Sequence, residues 1–185
     1  MTMKKGARIL AIDGSAYRKQ DADSLIVGVV GREDEVEGVL SFRVQVDGED
    51  STKMIIRSAS RSRFYDQIRL VAVHGVTLAG LNVVDLPSLG RELGIPVVGV
   101  VRRRPHAGEL EKAVRASGIA VERKLALLRK IRKGSEAFRM EGFYFQAAGI
   151  TKDELRGVSG SAVRFLRLAH IIANGVARGE SRGRI

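Results

Sequence analysis

Three kinds of side chain in this 185-residue chain have the type and spacing for phosphoryl chemistry. The first are carboxylates. Asp13 closes the apolar run RILAID, and Asp47 and Asp50 follow the run GVLSFRVQV. Asp13 and Asp47 each stand where a strand is expected to end. Two neighbouring strands would therefore carry them to one hard divalent cation, with Asp50 in reach. Mg²⁺ or Mn²⁺ takes one or two carboxylates together with water and substrate phosphate, and so activates water or neutralises developing charge. The same residues also read as ordinary turn chemistry, because Asp-Gly is a turn signal and an Asp can bond its own local N–H groups. The second kind are imidazoles. His74 opens the polar turn that also holds Gly75, Thr77, Gly80, Asn82 and Asp85, and His170 shares a helical face with Arg167, Asn174 and Arg178. An imidazole can ligate a metal, donate to phosphate or act as a base. It can equally hydrogen-bond at a sheet edge or lie on the polar side of an amphipathic helix. The third kind are arginines: Arg102, Arg103 and Arg104 precede Pro105 and His106 at another strand end. Guanidinium forks there would hold a phosphodiester. The alternative is a solvated loop.

The elements that must position these residues follow from hydrophobic periodicity. Arg8 to Asp13 and Leu25 to Val30 are short apolar runs, and Gly38 to Val46 alternates with the period of two of a half-buried strand. Leu70 to Val73 and Val97 to Val101 are continuous and rich in β-branched residues, the mark of interior parallel strands covered on both faces. Between them Leu86 to Leu93 has the length of a crossover helix, closed by Gly94 and Pro96. A helix is expected over 51–65 with Ser51 or Thr52 as N-cap, a second over 107–117, a basic third over 124–133 and a terminal one over 161–178. Gly118 to Val121 reads as an edge strand and Phe143 to Ala148 as an aromatic strand. Thr151 and Glu154 have the spacing of a capping box. Three hairpin-like strands followed by helix-separated strands predict a three-layer α/β domain with a mixed sheet, in the element order of the ribonuclease H-like fold. One domain is expected to span residues 1–185.

Composition narrows the function classes. The 32 Lys and Arg exceed the 21 Asp and Glu, a net charge of +11, and the cations of the second half are mainly arginine. That balance favours a phosphate-bearing partner, nucleic acid above all; a basic surface that only aids solubility is the plainer reading. Cysteine is absent, which excludes disulfides, thiolate metal sites and thiol nucleophiles and points to the cytosol. No stretch approaches the roughly 18 apolar residues of a membrane span, and the N-terminal apolar run is too short for a signal peptide. With no Trp, six Phe and three Tyr, rows of stacked bases are a poor model for binding. Neither nucleotide-binding glycine fingerprint occurs.

Five separated segments, ILAIDGS, VDGEDST, GVTLAGLNVVDL, GIPVVGVVRRRP and RLAHIIANGVARGESRGR, occur in an order that resembles the archaeal family of domain of unknown function 99. That family is similar in turn to endonuclease V, a ribonuclease H-like enzyme that cuts near deaminated bases with Mg²⁺. The resemblance implies a nucleic-acid partner, a divalent cation and a carboxylate at Asp13. It also marks departures. Val44 follows Phe42-Arg43 where the enzyme has Glu, leaving Asp47 as the nearby substitute, and His74-Gly75 stands where the enzyme has Asp-Gly. His170 is similar to the enzyme's helical histidine.

Two readings stand on these residues. In one, Asp13 and Asp47 hold Mg²⁺ or Mn²⁺, His74 and His170 contact phosphate or water, and Arg102, Arg103, Arg104 and Arg167 hold the backbone of nucleic acid during phosphodiester hydrolysis. In the other, the acids are degraded and the same scaffold only binds nucleic acid or a nucleotide. An enzyme acting on a small phosphorylated metabolite is a third class.

Overall fold

In a computed structural model of the chain, residues 2–4, 6–103 and 108–181 are described. The strands are β1 (Arg8–Gly14), β2 (Asp23–Arg32), β3 (Glu35–Gln45), β4 (Ile68–His74), β5 (Thr77–Leu78), β6 (Asn82–Val83), β7 (Val97–Val101), β8 (Glu136–Met140) and β9 (Phe143–Ala148). The helices are α1 (Ser51–Ser60), α2 (Leu86–Leu93), α3 (Glu109–Ser117), α4 (Val121–Gly134), α5 (Lys152–Leu155) and α6 (Ser159–Arg178). Seven strands form one mixed sheet in the order β3-β2-β1-β4-β7-β9-β8, and β5 and β6 form a separate small hairpin.

The centre of the sheet is parallel, β1 to β4 to β7, and antiparallel hairpins flank it on both sides. Alternation sends Leu10, Ile12, Val71 and Val73 into one core with α1, α2, α3 and α4. Ile9, Ala11, Leu70 and Ala72 enter the other, with α6. Both faces are covered, which explains why β4 and β7 read as unbroken apolar runs. The product is helix, sheet, helix, as the pattern predicts. A β-α-β crossover lays the carboxyl ends of β1, β4 and β7 along one edge, where polar residues can be presented beyond a rigid apolar frame. Among the described residues no helix is long and apolar enough to cross a membrane.

Several local expectations change. The helix expected over 51–65 ends at Ser60, and Tyr65–Gln67 forms a separate 3₁₀ turn. Its N-cap is Asp50, not Ser51 or Thr52; the Thr52 hydroxyl accepts from the Asp85 N–H instead. No strand forms over 118–121. Gly118 and Ala120 both have positive φ, 68° and 49°, and α4 already starts at Val121. Strand β8, which the sequence pattern did not announce, pairs with β9 at the sheet edge. The capping box at Thr151 and Glu154 forms as expected.

Candidate active site

β1 delivers Asp13 to the carboxyl edge of the sheet, and its parallel neighbour β4 delivers His74 to the same edge. His74 is held there by close packing. The Gly75 N–H donates to Val100 O, and a Cβ on Gly99 would stand 2.6 Å from Gly75 O. Only a glycine at 99 lets the His74-Gly75 turn lie this close to β7. The third member comes from the opposite layer. The apolar stripe of α6, with Ala162, Phe165, Leu166, Ala169 and Ala173, packs on the sheet and turns His170 toward Asp13.

The three side chains meet as one unit. His74 Nδ1 lies 3.3 Å from Asp13 Oδ1, and His170 Nδ1 lies 3.2 Å from Asp13 Oδ2. The Gly14 N–H also donates to Oδ1, at 2.7 Å. Asp13 is 5% exposed. Burial pushes its carboxyl upward, but the hydrogen bonds from His170 and His74, the His74 charge and the Gly14 N–H outweigh it and hold the group below the ordinary carboxylate value. An ionised carboxylate only accepts, so each imidazole directs an Nδ1–H at Asp13 and turns its Nε2 away. The arrangement is an orienting carboxylate with two bases, able to take a proton from water or give one to an oxygen of the substrate.

Asn174, one turn beyond His170, is buried and unites the parts. Its Nδ2 donates to His170 O, and its Oδ1 accepts from the Ala16 N–H. The loop after β1 is thereby tied to the helix that carries His170. Asn174, Arg178, Ser15, Tyr17 and Arg43 line a cleft of about 1000 Å³ beside the cluster. His74 pairs in register with Val100, so Arg102 leaves the neighbouring strand two residues beyond that level, and Arg102 and Arg103 are exposed there. Arg104 lies outside the described residues. Arg167 is exposed on α6, three residues before His170.

Asp47 has a different set of partners. Register places Asp13 in line with Val27 and Ser41, well before Asp47 on the third strand. Asp47 Oδ1 accepts from the Leu81 N–H at 2.8 Å, its N–H donates to Ala79 O, and its own carbonyl accepts from Lys124 Nζ at 2.6 Å. Asp50 braces the same loop: it accepts from Asn82 Nδ2 and from the Gln45 N–H. Asp85 caps α2 through the Ser88 N–H and pairs with Lys130. Among the described residues no group of three or more His, Asp or Glu is arranged to hold a metal ion. The donor set around Asp13, one carboxylate and two imidazoles, is also unlike the all-oxygen shell that Mg²⁺ prefers. Val44, at the place of the enzyme's Glu, is 1% exposed in the core. Sequence reasoning did not single out Tyr17 or Lys124. Lys124, 1% exposed, reads simply as one cation of a basic helix until its partner at Asp47 is seen.

Comparison with known proteins identifies the family and the fold. Residues 5–177 match the family described as Endonuclease dU. A UPF0215 protein of Methanopyrus kandleri is 37% identical over 97% of this chain and 95% of its own length. Another, of Methanothermobacter thermautotrophicus, is 37% identical over 98% and 93%. The crystal structure of a protein of unknown function from Archaeoglobus fulgidus superposes with a TM-score of 0.81 at 31% identity, covering 91% of this chain and 97% of that one. The catalytic domain of human endonuclease V superposes with a TM-score of 0.58 at 15% identity, covering 94% and 83%. That likeness establishes the ribonuclease H-like fold.

Proposed function

The chain belongs to the endonuclease dU family, and from that premise we propose that it hydrolyses phosphodiester bonds in nucleic acid containing deoxyuridine, at the cluster of Asp13, His74 and His170. The observation that carries the reading is the convergence of two imidazoles, from a strand and from the opposite helical layer, on one buried carboxylate. Such convergence is costly to build unless the orientation of both rings matters, since a buried carboxylate must be fully hydrogen-bonded.

In this reading the attacking group is water. His74, a third exposed at its side chain, presents Nε2 as the general base, and Asp13 stabilises the imidazolium that forms. His170, fixed at its main chain by Asn174, acts from its imidazolium form and gives its Nε2 proton to the leaving oxygen, while His74 keeps the proton taken from water. Arg102 and Arg103, exposed beyond the level of His74, would hold non-bridging oxygens, together with Arg104 and Arg167 from the sequence-based reading. The Mg²⁺ or Mn²⁺ expected from the sequence does not fit the cluster as it stands, because both Asp13 oxygens already accept from the imidazoles and the Gly14 N–H, and Asp47 stands apart with partners of its own.

A second reading, binding without cleavage, draws on Val44. A core valine takes the place of an acid, so the carboxylate count at this edge is low for a two-metal nuclease. One assay separates the two. Purified chain and His74→Ala are incubated with a labelled oligonucleotide containing one uracil, with Mn²⁺, with Mg²⁺ and with chelator. Hydrolysis by the first chain and its loss in the second support the enzyme. Salt-dependent binding of intact oligonucleotide, with no strand break under any condition, supports the binding module.

A further inference from the structure

Most of the charge on α4 has no part in the chemistry above. Helical spacing divides the surface of this helix into sides. Leu125, Leu128 and Ile131 are buried in the core, Arg123 pairs with Glu49, and Arg132 pairs with Glu111. The remaining side, with Arg129, Lys130 and Lys133, is exposed. Together with Arg91 and Pro87 of α2 and with Gly134, these three cations line a groove of about 540 Å³. The two helices close on each other there, since a Cβ on Gly134 would stand 2.8 Å from Pro87 Cγ.

The charge of the groove is largely uncompensated. Among the described residues no acid lines it. Lys130 reaches Asp85 Oδ2 and Ser88 Oγ, at 2.6 and 2.7 Å, and Arg91 donates to the same neutral hydroxyl. Among the described residues no ion pair or hydrogen bond engages the Arg129 or Lys133 side chain. Like charges four residues apart on one helix face cost stability, and an anion between them reverses that effect. The groove also adjoins the imidazole cluster, because Gly99 of β7 lies against both. A Cβ on Gly99 would stand 2.6 Å from Gly75 O, in the turn of His74, and 3.2 Å from Leu86 Cδ1, at the head of α2. Pro87, the next residue, lines the groove. α4 has 14 residues, a length of about 21 Å, over which one strand of a duplex carries about six phosphates.

We infer that the groove between α2 and α4 holds the sugar–phosphate backbone of nucleic acid beside the reacting phosphodiester, with Arg129 and Lys133 as its phosphate contacts. The inference rests on the proposed substrate class and extends its footprint from the carboxyl edge of the sheet onto the helical layer. The place of the groove beside the cluster favours nucleic acid over an acidic protein, since one polyanion then occupies both. Contacts of this kind fix register and add affinity, and they carry no base information.

The test is equilibrium binding of the full chain to a labelled duplex long enough to cover cluster and groove. It is read by fluorescence anisotropy in chelator at several salt concentrations, with the duplex checked for integrity. Each phosphate contact contributes about 0.9 to the slope of log affinity against log salt. Arg129→Gln with Lys133→Gln is therefore expected to lower the slope by about two units, equally on duplexes that carry uracil or thymine at one position. Arg61→Gln with Arg115→Gln removes the same charge from exposed positions outside the groove and is expected to keep the parent slope. Arg129→Lys with Lys133→Arg keeps the charge in place and is expected to keep it too. An unchanged slope in the first variant, an equal loss in either of the others, or a loss confined to uracil overturns the assignment. The outcome is independent of cleavage: a lowered slope in a chain that breaks no strand upholds the groove and sinks the hydrolase, while strand breaks with an unchanged slope do the reverse.

Discussion

Two aspartates that look alike in the sequence, Asp13 and Asp47, are used in opposite ways. Asp13 has both oxygens spent on two imidazoles and one backbone N–H. Asp47 is fixed through its main chain and one oxygen, by Lys124, Ala79 and Leu81. The first is a hub that joins two imidazoles; the second is a fixed acceptor. Position explains the difference. A parallel strand end beneath a helical layer brings partners from two directions, whereas a left-handed turn at the end of an edge hairpin is braced by the loop and helix behind it. A carboxylate's role is therefore set by how many of its lone pairs the fold consumes.

Substitutions can break this contrast, and the largest effect is expected at the hub. His74→Ala is expected to lower hydrolysis by about 10² to 10⁴, the range for a positioned general base, while binding of the uracil oligonucleotide is retained. Parallel single-turnover and anisotropy measurements read both. Next comes Lys124→Met, which removes a buried ammonium and leaves the Asp47 carbonyl unsatisfied. A loss of about 1–3 kcal/mol in denaturant unfolding is expected. Gly80→Ala forces a side chain against Asp47 Oδ1 and Tyr17 Oη at positive φ. It is expected to cost about 1–3 kcal/mol in denaturant unfolding.

The hub also has a signature in acid. The folded Asp13 carboxyl lies below its ordinary value, so its contribution to stability is fully present above the unfolded value of about 3.9 and is lost as pH falls through the lower folded value. The stability advantage of the parent chain over Asp13→Asn is expected at neutral pH and should shrink below about pH 4. Urea titrations at several pH values check this. The smallest effect is expected at the rim: Arg167→Gln should weaken oligonucleotide affinity slightly and reduce the salt slope by about one unit.

Much of the frame was legible from pattern alone. The apolar runs at Leu70 to Val73 and Val97 to Val101 can only be interior strands, and the stripe of α6 matches the face that packs on the sheet. Local signals were also sufficient for the Thr151 capping box. Other features depend on distant partners. β8 is largely exposed and becomes a strand only by pairing with β9. The segment 118–121 has strand-like residues, but left-handed Gly118 and Ala120 turn it into α4. At the site, Asp13, His74 and His170 were each visible as candidates, yet their meeting is a contact over 157 residues between a strand and a helix. Asp47 was expected beside Asp13 because both end strands. The register of β1, β2 and β3 instead carries Asp47 past that row, to Lys124, Leu81 and Tyr17. Lys124 carried no local mark, since a buried lysine in a basic helix has the same sequence pattern as a solvated one.

The central claim is that Asp13 and His74 act as one catalytic unit, and a double-mutant cycle tests it most directly. Single-turnover hydrolysis of a uracil-containing oligonucleotide is compared for the parent chain, Asp13→Asn, His74→Ala and the double variant. Members of one unit are grossly non-additive, so the double variant is expected to be no slower than His74→Ala alone. Losses that multiply, or hydrolysis undiminished in His74→Ala, would contradict the account.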